Sequence, residues 1–169
     1  MSGQPVPGEP TAELRPVLDF ETFYRQRYTA IARALAYALR DVELGQEAAD
    51  EAMARAYPRW GKLCTYDNPS GWVYRVGLNW ARSVHRRLSR SLPWRESESY
   101  EPPLSDPGVA AALRRLDDKH RDVVVCRLLL DWSVEQTADA LELKPGTVKS
   151  RLHHALGRLK ADLEPGTER

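Results

Sequence analysis

The chain has 169 residues, of which 42% are hydrophobic and 29% charged, a composition typical of a protein that buries a core. This length allows one ordinary domain or two small ones. No run of about 18 apolar residues occurs, which excludes a membrane-spanning helix, and the N-terminus lacks the basic-then-apolar pattern of an export signal, so we expect a cytoplasmic protein. Cys64 and Cys126 match no metal-binding spacing, and we expect both to be reduced.

The net charge of +1 is the sum of three separate charged blocks. Residues 41–54 contain five acids and no base. Residues 72–95 contain six arginines and no acid, and residues 144–160 contain five bases and no acid. Blocks of one sign are typical of surfaces that meet a charged partner, so the distribution is more informative than the total.

Two stretches that combine proline with polar residues divide the chain. Proline inside a helix removes an amide donor and clashes with the preceding turn, so neither stretch can be helical throughout. We predict a disordered tail (1–17), a first helical domain (18–91), a linker (92–108), a second helical domain (109–164) and a short tail (165–169). No segment alternates with the period of two that strands need, so the predicted fold class is all-α.

In the first domain, apolar residues recur at three-and-four spacing in three stretches, which predicts three amphipathic helices. The first stretch consists of Phe20, Tyr24, Tyr28, Ile31, Leu35, Leu39 and Val42. The second runs from Ala49 to Trp60, with acids on the opposite face. Pro69 is placed to open the third, because a missing amide costs nothing in the first turn. Its predicted buried stripe is Val73, Val76, Trp80, Val84 and Leu88.

The other face of the third helix is basic. It carries Arg75, Asn79, Arg82, Arg86 and Arg90, with Trp72 beside them. Exposed helix faces usually mix charges of both signs. An acid-free face therefore favours a polyanionic partner over a merely solvated surface.

The second domain has the pattern of a helix-turn-helix. A short first helix near Leu113 and Leu116 precedes one that Asp117 or Asp118 can cap, with Val123, Val124, Leu128 and Leu129 as its apolar residues. Ser133 and Gln136 are spaced as a capping box. Residues 142–144 form a short turn before Pro145, where the last helix begins. Its predicted buried stripe is Val148, Leu152, Ala155, Leu159 and Leu163.

The outer face of that last helix predicts DNA binding. It presents Thr147, Ser150, Arg151, His154 and Arg158, and Lys149, His153 and Lys160 lie on its flank. Arginine can form a bidentate pair with guanine, whereas the flanking bases are better placed for phosphates. His153 and His154 point about 100° apart on a helix, so we expect no shared metal. The alternative interpretation is a helical hairpin that is basic but binds nothing.

Two parts of the chain resemble one family. "LKPGTVKSRLHHALGRLK" (143–160) resembles the recognition helix of extracytoplasmic-function sigma factors of bacterial RNA polymerase, and the preceding segment resembles the entry to that domain. "QEAADEAMARAYPRW" resembles the family's polymerase-binding helix, and "PSGWVYRVGLNWARSVHRR" its promoter-melting helix. The resemblance covers about residues 20–90 and 109–163, in the family's order.

The resemblance implies a set of partners and no catalytic residue, cofactor or metal. Core RNA polymerase would be bound through the clamp helices of its largest subunit and the flap of its second subunit, promoter DNA would be the other ligand, and an anti-sigma factor would regulate the chain. The polymerase-binding residues would be Glu47, Asp50, Glu51, Arg55 and Tyr57. The melted minus-ten element would meet Trp72, Arg75, Asn79, Trp80, Arg82 and Arg86, and a flipped base would enter a loop of Lys62, Cys64, Thr65, Tyr66, Asp67 and Asn68. The minus-thirty-five duplex would meet Thr147, Lys149, Ser150, Arg151, His154 and Arg158.

Three departures from the family pattern and two rival functions stand beside this interpretation. Lys144 occupies the position where serine usually caps the recognition helix, Asp50 replaces a common glutamine, and small alanines (Ala52, Ala54) replace larger residues. The first rival is a helix-turn-helix regulator that binds duplex DNA without polymerase, which leaves the acidic second helix unexplained. The second is an enzyme, for which the sequence offers no phosphate-binding glycine loop and no catalytic triad with supporting context.

Overall fold

The computed structural model describes residues 18–91 and 107–164, and all regular structure within these two ranges is helical. The first range contains α1 (Phe20–Leu39), α2 (Val42–Ala56), a 3-10 turn (Tyr57–Arg59), α3 (Trp60–Leu63) and α4 (Pro69–Ser91). The second contains α5 (Pro107–Arg115), α6 (Asp118–Val124), a π-helical turn (Val125–Leu129), α7 (Val134–Leu141) and α8 (Pro145–Leu163). The predicted tails and residues 92–106 of the linker lie outside the described residues. No described helix is long and apolar enough to span a bilayer.

Side-chain caps set the starts of five of the described helices, including α4, where Asn68 accepts from the Gly71 amide. Asp19 accepts a hydrogen bond from the Thr22 amide at 2.9 Å, and Asp41 accepts one from Leu44 at 3.0 Å. Asp117 caps α6 in the same way, and the capping box of Ser133 and Gln136 is present at α7. Asp41 also explains why α1 ends at Leu39 rather than at Val42: a new cap begins there, and Arg40 turns into the left-handed region with φ of 56°.

The core of the first domain forms where α2 packs between α1 and α4. Small residues allow this close approach: a Cβ on Gly77 of α4 would lie 2.9 Å from the Ala48 carbonyl oxygen of α2. Phe23 is buried, whereas Tyr24 of the predicted stripe is 37% exposed. Trp60 belongs to α3 and not to α2, and its indole nitrogen donates to the Leu18 carbonyl oxygen at 2.8 Å.

Two predicted buried stripes were partly wrong. In α4, Leu88 is 54% exposed, because the helix extends beyond its neighbours, and the buried residues are centred instead on Val73, Tyr74 and Leu78. In the second domain, Leu128 is 56% exposed. The π-helical turn, in which the Leu130 amide donates to the Val125 carbonyl, holds one more residue than an α turn and so rotates the side chains that follow.

One boundary of the second domain and one further residue predicted to be buried differ from the prediction. Pro107 and Gly108, assigned to the linker, lie in the first turn of α5. At the other end of the domain, Leu163 is 44% exposed, because the last turn of α8 carries it past the domain core.

The two helical domains share one buried core. The Tyr74 ring of α4 meets the Trp132 ring edge-on, with centroids 5.6 Å apart, and both side chains are buried. The buried Arg121 guanidinium of α6 donates to the Ala38 carbonyl of α1 at 3.0 Å and to the Leu116 carbonyl at 2.7 Å. Arg40 of α1 also donates to the Leu116 carbonyl, at 2.8 Å. Nothing in the sequence analysis predicts this contact between domains.

Candidate nucleic-acid interface

The basic face of α4 carries the residues predicted to bind single-stranded DNA. Asn79 is exposed, and Trp72 and Trp80 are half-buried against the core. Arg86 is exposed and donates within the helix to the Arg82 carbonyl at 3.4 Å. The regular spacing of α4 therefore places an amide, guanidinium groups and an aromatic ring along one side of a single helix.

Arg82 is already paired with an acid of the second domain. Its Nη2 donates to both carboxylate oxygens of Asp122 in α6, at 2.7 and 2.9 Å. The Asp122 side chain is only 11% exposed, against 37% for that of Arg82. Burial raises the pKa of the Asp122 carboxyl, and the charge of Arg82 acts against that shift. The sequence analysis missed Asp122, because no pattern within α6 indicates which residue faces another domain.

Arg75 makes a second contact of the same kind. Its Nη1 lies 3.4 Å from the Asp139 carbonyl oxygen of α7 and 3.8 Å from a carboxylate oxygen of Glu142. Between this pair and the Arg82 pair lies a cavity of about 420 Å³. Its lining brings Asn79 of α4 together with Arg151 of α8, so the two predicted DNA-reading surfaces face one cavity.

The predicted base-binding loop divides into two parts. Tyr66, Asp67 and Asn68 line a second cavity of about 390 Å³, together with Trp72 and Arg75 from α4 and residues of α7. The Asn68 side chain accepts from the Gly71 amide at 3.2 Å and so caps α4, while its Nδ2 atom is buried with no hydrogen-bond partner among the described residues.

The other three residues of the predicted loop, Lys62, Cys64 and Thr65, do not line this cavity. Thr65 donates through its hydroxyl to the Lys62 carbonyl at 2.7 Å, and the Cys64 thiol lies 3.4 Å from the Gly61 carbonyl. Lys62 itself lies in α3. These three residues turn back on α3 and are absent from the cavity lining.

The outer face of α8 is more open than that of α4. Lys149, Ser150, His154 and Arg158 are exposed, and Thr147 and Arg151 are half-buried. The helix starts at Pro145 without a side-chain cap, as expected for Lys144; instead the Lys144 carbonyl accepts from the amides of the first turn. These residues stand where helix-turn-helix proteins contact the major groove.

An acid touches the far end of that face. Arg158 lies 3.4 Å from Asp117, whose carboxylate also lies 2.6 Å from the His120 ring. Hydrogen bonds from the backbone amide and the side chain of His120 lower the pKa of Asp117 to about 2. Asp117 is half-exposed, so Arg158 can exchange it for a phosphate without burying an unpaired charge.

The predicted polymerase-binding face of α2 is available to a partner. Glu47, Asp50, Arg55 and Tyr57 are exposed, with Tyr57 at 67%, and Glu51 is paired with Arg55 at 2.7 Å. The sequence analysis did not connect Tyr28 of α1 to this face. Burial, together with the nearby Asp50 carboxylate, raises the pKa of Tyr28 to about 12.

The comparisons with known proteins agree on the family of this chain. The family model for sigma-70 region 4 matches residues 108–159. An RNA polymerase sigma-E factor of Streptomyces antibioticus is 35% identical over 155 residues, with 88% of this chain and 86% of that protein covered. The ECF sigma factor SigL of Mycobacterium tuberculosis is 29% identical, over 76% of this chain and 81% of that protein. The chain belongs to the extracytoplasmic-function sigma factors.

Solved structures confirm the all-α fold of this sigma factor. The sigma factor RpoE of Bartonella quintana, solved with the anti-sigma factor NepR, superposes with a TM-score of 0.71 at 19% identity, covering 90% of this chain and all of that one. CnrH, solved with the cytosolic domain of CnrY, gives 0.60 at 21% identity, covering 86% and 87%. Region 4 of this sigma factor corresponds to α5–α8, and the helices before it are the expected region 2.

Proposed function

We propose that this sigma factor binds core RNA polymerase through α2, holds the melted minus-ten element on α4 and reads the minus-thirty-five duplex with α8. The observation that carries the proposal is the distribution of exposed charge. One chain presents an exposed acidic helix face and two basic helix faces. A regulator that acts on duplex DNA alone needs only α8 for binding. The exposed Asp50 and Tyr57 would then have no binding role.

The chemistry of the α4 face suits single-stranded DNA. Arginine side chains hold phosphates and stack on bases, and the Asn79 amide can donate to and accept from a base edge. The cavity beside Tyr66 and Trp72 offers rings for stacking an unpaired base, as extrusion of a base from the duplex requires. On this proposal the chain acts by binding and not by catalysis, works in the cytoplasm and is held inactive by an anti-sigma factor. The two solved sigma factors that superpose on it were both captured with proteins bound to them.

The test is run-off transcription with purified core polymerase. Core polymerase alone should give no promoter-specific product, and adding the chain should make it start at defined promoters. Replacing Asp50 and Glu51 together by lysine should abolish assembly with core, because the charge of the exposed acidic face is reversed. A fluorescence titration measures the affinity for core, and circular dichroism checks the fold. Glu135→Lys, an exposed charge reversal on region 4, is the control. Wild-type affinity in the double variant would remove α2 from the interface.

A further inference from the structure

Four ionisable side chains meet at the far end of the duplex-reading face of α8. Asp117 and His120 come from the start of α6, and His154 and Arg158 come from α8; we name this group the histidine cluster. His120 Nδ1 lies 2.6 Å from Asp117 Oδ1, and Arg158 Nη1 lies 3.4 Å from Asp117 Oδ2. The rings of His120 and His154 meet edge-on, with centroids 6.4 Å apart. The cluster therefore joins a helix outside the helix-turn-helix to residues proposed to contact DNA.

Both histidines already use one ring nitrogen. His154 Nδ1 lies 2.9 Å from the Ser150 carbonyl oxygen. A carbonyl oxygen can only accept, so Nδ1 of the neutral ring carries the proton and donates it. Asp117 is also only an acceptor near neutral pH, because its pKa of about 2 keeps it ionised, and His120 Nδ1 donates to it. In each ring the next proton must therefore go to Nε2, where it turns a neutral side chain into a cation.

The charge of the histidine cluster consequently changes in the physiological range of pH. When both rings are neutral, the charges of Asp117 and Arg158 cancel. Histidine is the side chain that ordinarily changes its charge between pH 5 and 8, and two protonated rings leave the cluster with two positive charges. The His154 side chain is exposed, whereas that of His120 is only 18% exposed. His154 can therefore touch a ligand directly, and His120 acts through Asp117.

The surrounding charged groups are of types that do not ordinarily titrate between pH 6 and 8, apart from His153, whose ring lies 5.7 Å from that of His154. Lys119 of α6 is exposed, as are Glu135 and Asp139 of α7. Asp122 of α6 faces α4, where it pairs with Arg82. Arginines of the other elements packed on α6 and α8 contact carbonyls or acids outside the cluster: Arg40 of α1, Arg115 of α5 and Arg127 of the π-helical turn.

We infer that the histidine cluster is a proton-dependent phosphate-binding site, which takes the backbone of the minus-thirty-five duplex. The inference rests on the proposed function, because that function assigns α8 to duplex DNA. Protonated His154 supplies a charged donor to a phosphate oxygen. His120 is a positioning residue: once protonated, it offsets the charge of Asp117, so that Arg158 can exchange this carboxylate for a phosphate. Affinity for the duplex therefore rises as the pH falls through the range in which histidine titrates.

The test measures binding of holoenzyme to a fluorescein-labelled duplex of a promoter at which the chain starts transcription, from pH 8 to pH 6 at constant salt. The slope of log affinity against pH counts the protons taken up on binding. Wild type should bind about three to ten times more tightly at pH 6 than at pH 7, which corresponds to uptake of about half a proton to one proton. Core polymerase and promoter are the same in every arm, so their own pH effects cancel in the comparison of variants.

Three histidine variants locate the protons. His120→Gln combined with His154→Gln should lose most of the difference between pH 6 and pH 7. His154→Gln alone, a change on the exposed face, should lose about half of it, so the test stands even where circular dichroism shows that the double variant is unfolded. His153→Gln is the matched control on the neighbouring exposed histidine and should keep the wild-type slope. An equal loss of slope in His153→Gln would contradict the assignment to His120 and His154.

Asp117→Asn tests the positioning step separately. Asparagine preserves the cap of α6 and removes the charge that competes for Arg158. Binding at pH 8 should therefore be up to about five times tighter than in wild type, the range of one exposed ion pair, and its dependence on pH should be shallower. An unchanged slope in this variant would overturn the role of His120. Binding by wild type that is independent of pH would overturn the inference and leave the proposed function intact, whereas a wild-type holoenzyme that binds no promoter at any pH would overturn the proposed function itself.

Discussion

Helices α4 and α8 have the same kind of sequence and different surroundings. Both are long, both bury one apolar stripe and both present an acid-free basic face. The face of α8 is largely open, with only Asp117 near its Arg158. On the α4 face, Arg75 and Arg82 contact region 4 while Asn79 and Arg86 stay exposed, and Arg82 is held by a carboxylate that is itself buried. The comparison teaches that an acid-free helix face marks an anion-binding surface without indicating whether the anion will be a nucleic acid or another part of the chain.

The largest effect on stability is expected from filling the space beside a glycine of α4, compared with the same kind of change in α8. Gly77→Val in α4 should lower the free energy of unfolding by about 3 kcal/mol, because its Cβ would lie 2.9 Å from both the Ala48 carbonyl oxygen and a Leu35 methyl. The matched change in α8 is Gly157→Ala, where a Cβ meets nothing within 4 Å. That change should stabilise by about 0.5–1 kcal/mol, since alanine favours helix over glycine. Urea denaturation measures both, and equal effects would show that the two helices are packed alike.

The next effect separates base-specific contacts of α8 from its contacts with phosphates. Arg151→Ala should cost about 1–3 kcal/mol of binding to the preferred minus-thirty-five duplex and relax preference at one base position. Lys149→Ala, on the flank of the same helix, should weaken all duplexes equally. Competition between promoter variants for holoenzyme distinguishes the two patterns. Uniform loss in the Arg151 variant would reassign that residue to phosphate binding.

A smaller effect is expected for Asn79→Ala. Promoter opening should fall by about tenfold, equivalent to about 1.4 kcal/mol, because one amide that holds an exposed base is lost. Core binding and closed complexes should be nearly unchanged, since Asn79 lies on α4 and belongs neither to the proposed polymerase-binding face of α2 nor to α8, which is proposed to read the duplex. Permanganate reactivity of unpaired thymines follows the opening. A template with a pre-melted bubble should restore activity only if opening is the deficient step, and normal footprints on duplex promoter would exclude Asn79 from the mechanism.

The smallest effect is expected at Asp117, which pairs with Arg158 of the α8 face. Asp117→Ala should destabilise the protein by about 1 kcal/mol at neutral pH, because it removes the cap of α6. The folded-state pKa of about 2 lies below the ordinary value of 3.8, so the carboxylate stabilises the fold above pH 3.8 and that contribution disappears as the pH falls toward 2. The difference between variant and wild type should therefore shrink over this range in thermal melts. A difference independent of pH would mean that the charge of Asp117 has no part in the cap.

The accuracy of the sequence-based interpretation varied with the range of the interaction involved. The capping box at Ser133, the turn at residues 142–144 and the uncapped Lys144 depend on neighbours within four residues, and all were predicted. The buried stripe of α8 was predicted except at its last member, Leu163, which is 44% exposed. Errors arose where burial depended on the packing of whole elements: the π-helical turn displaced Leu128, and Leu88 near the end of α4 is 54% exposed.

The sequence by itself determined the helical fold class, the starts of α4, α6, α7 and α8, the separation of charge into three blocks and the family. Each follows from periodicity, from local hydrogen bonds or from motif order, which are properties of short stretches. Only the tertiary structure decided that Tyr74 would meet Trp132 and that Arg82 would be paired with Asp122. The physical reason is that a contact across 40 residues depends on how two finished surfaces fit, and no local pattern encodes the partner.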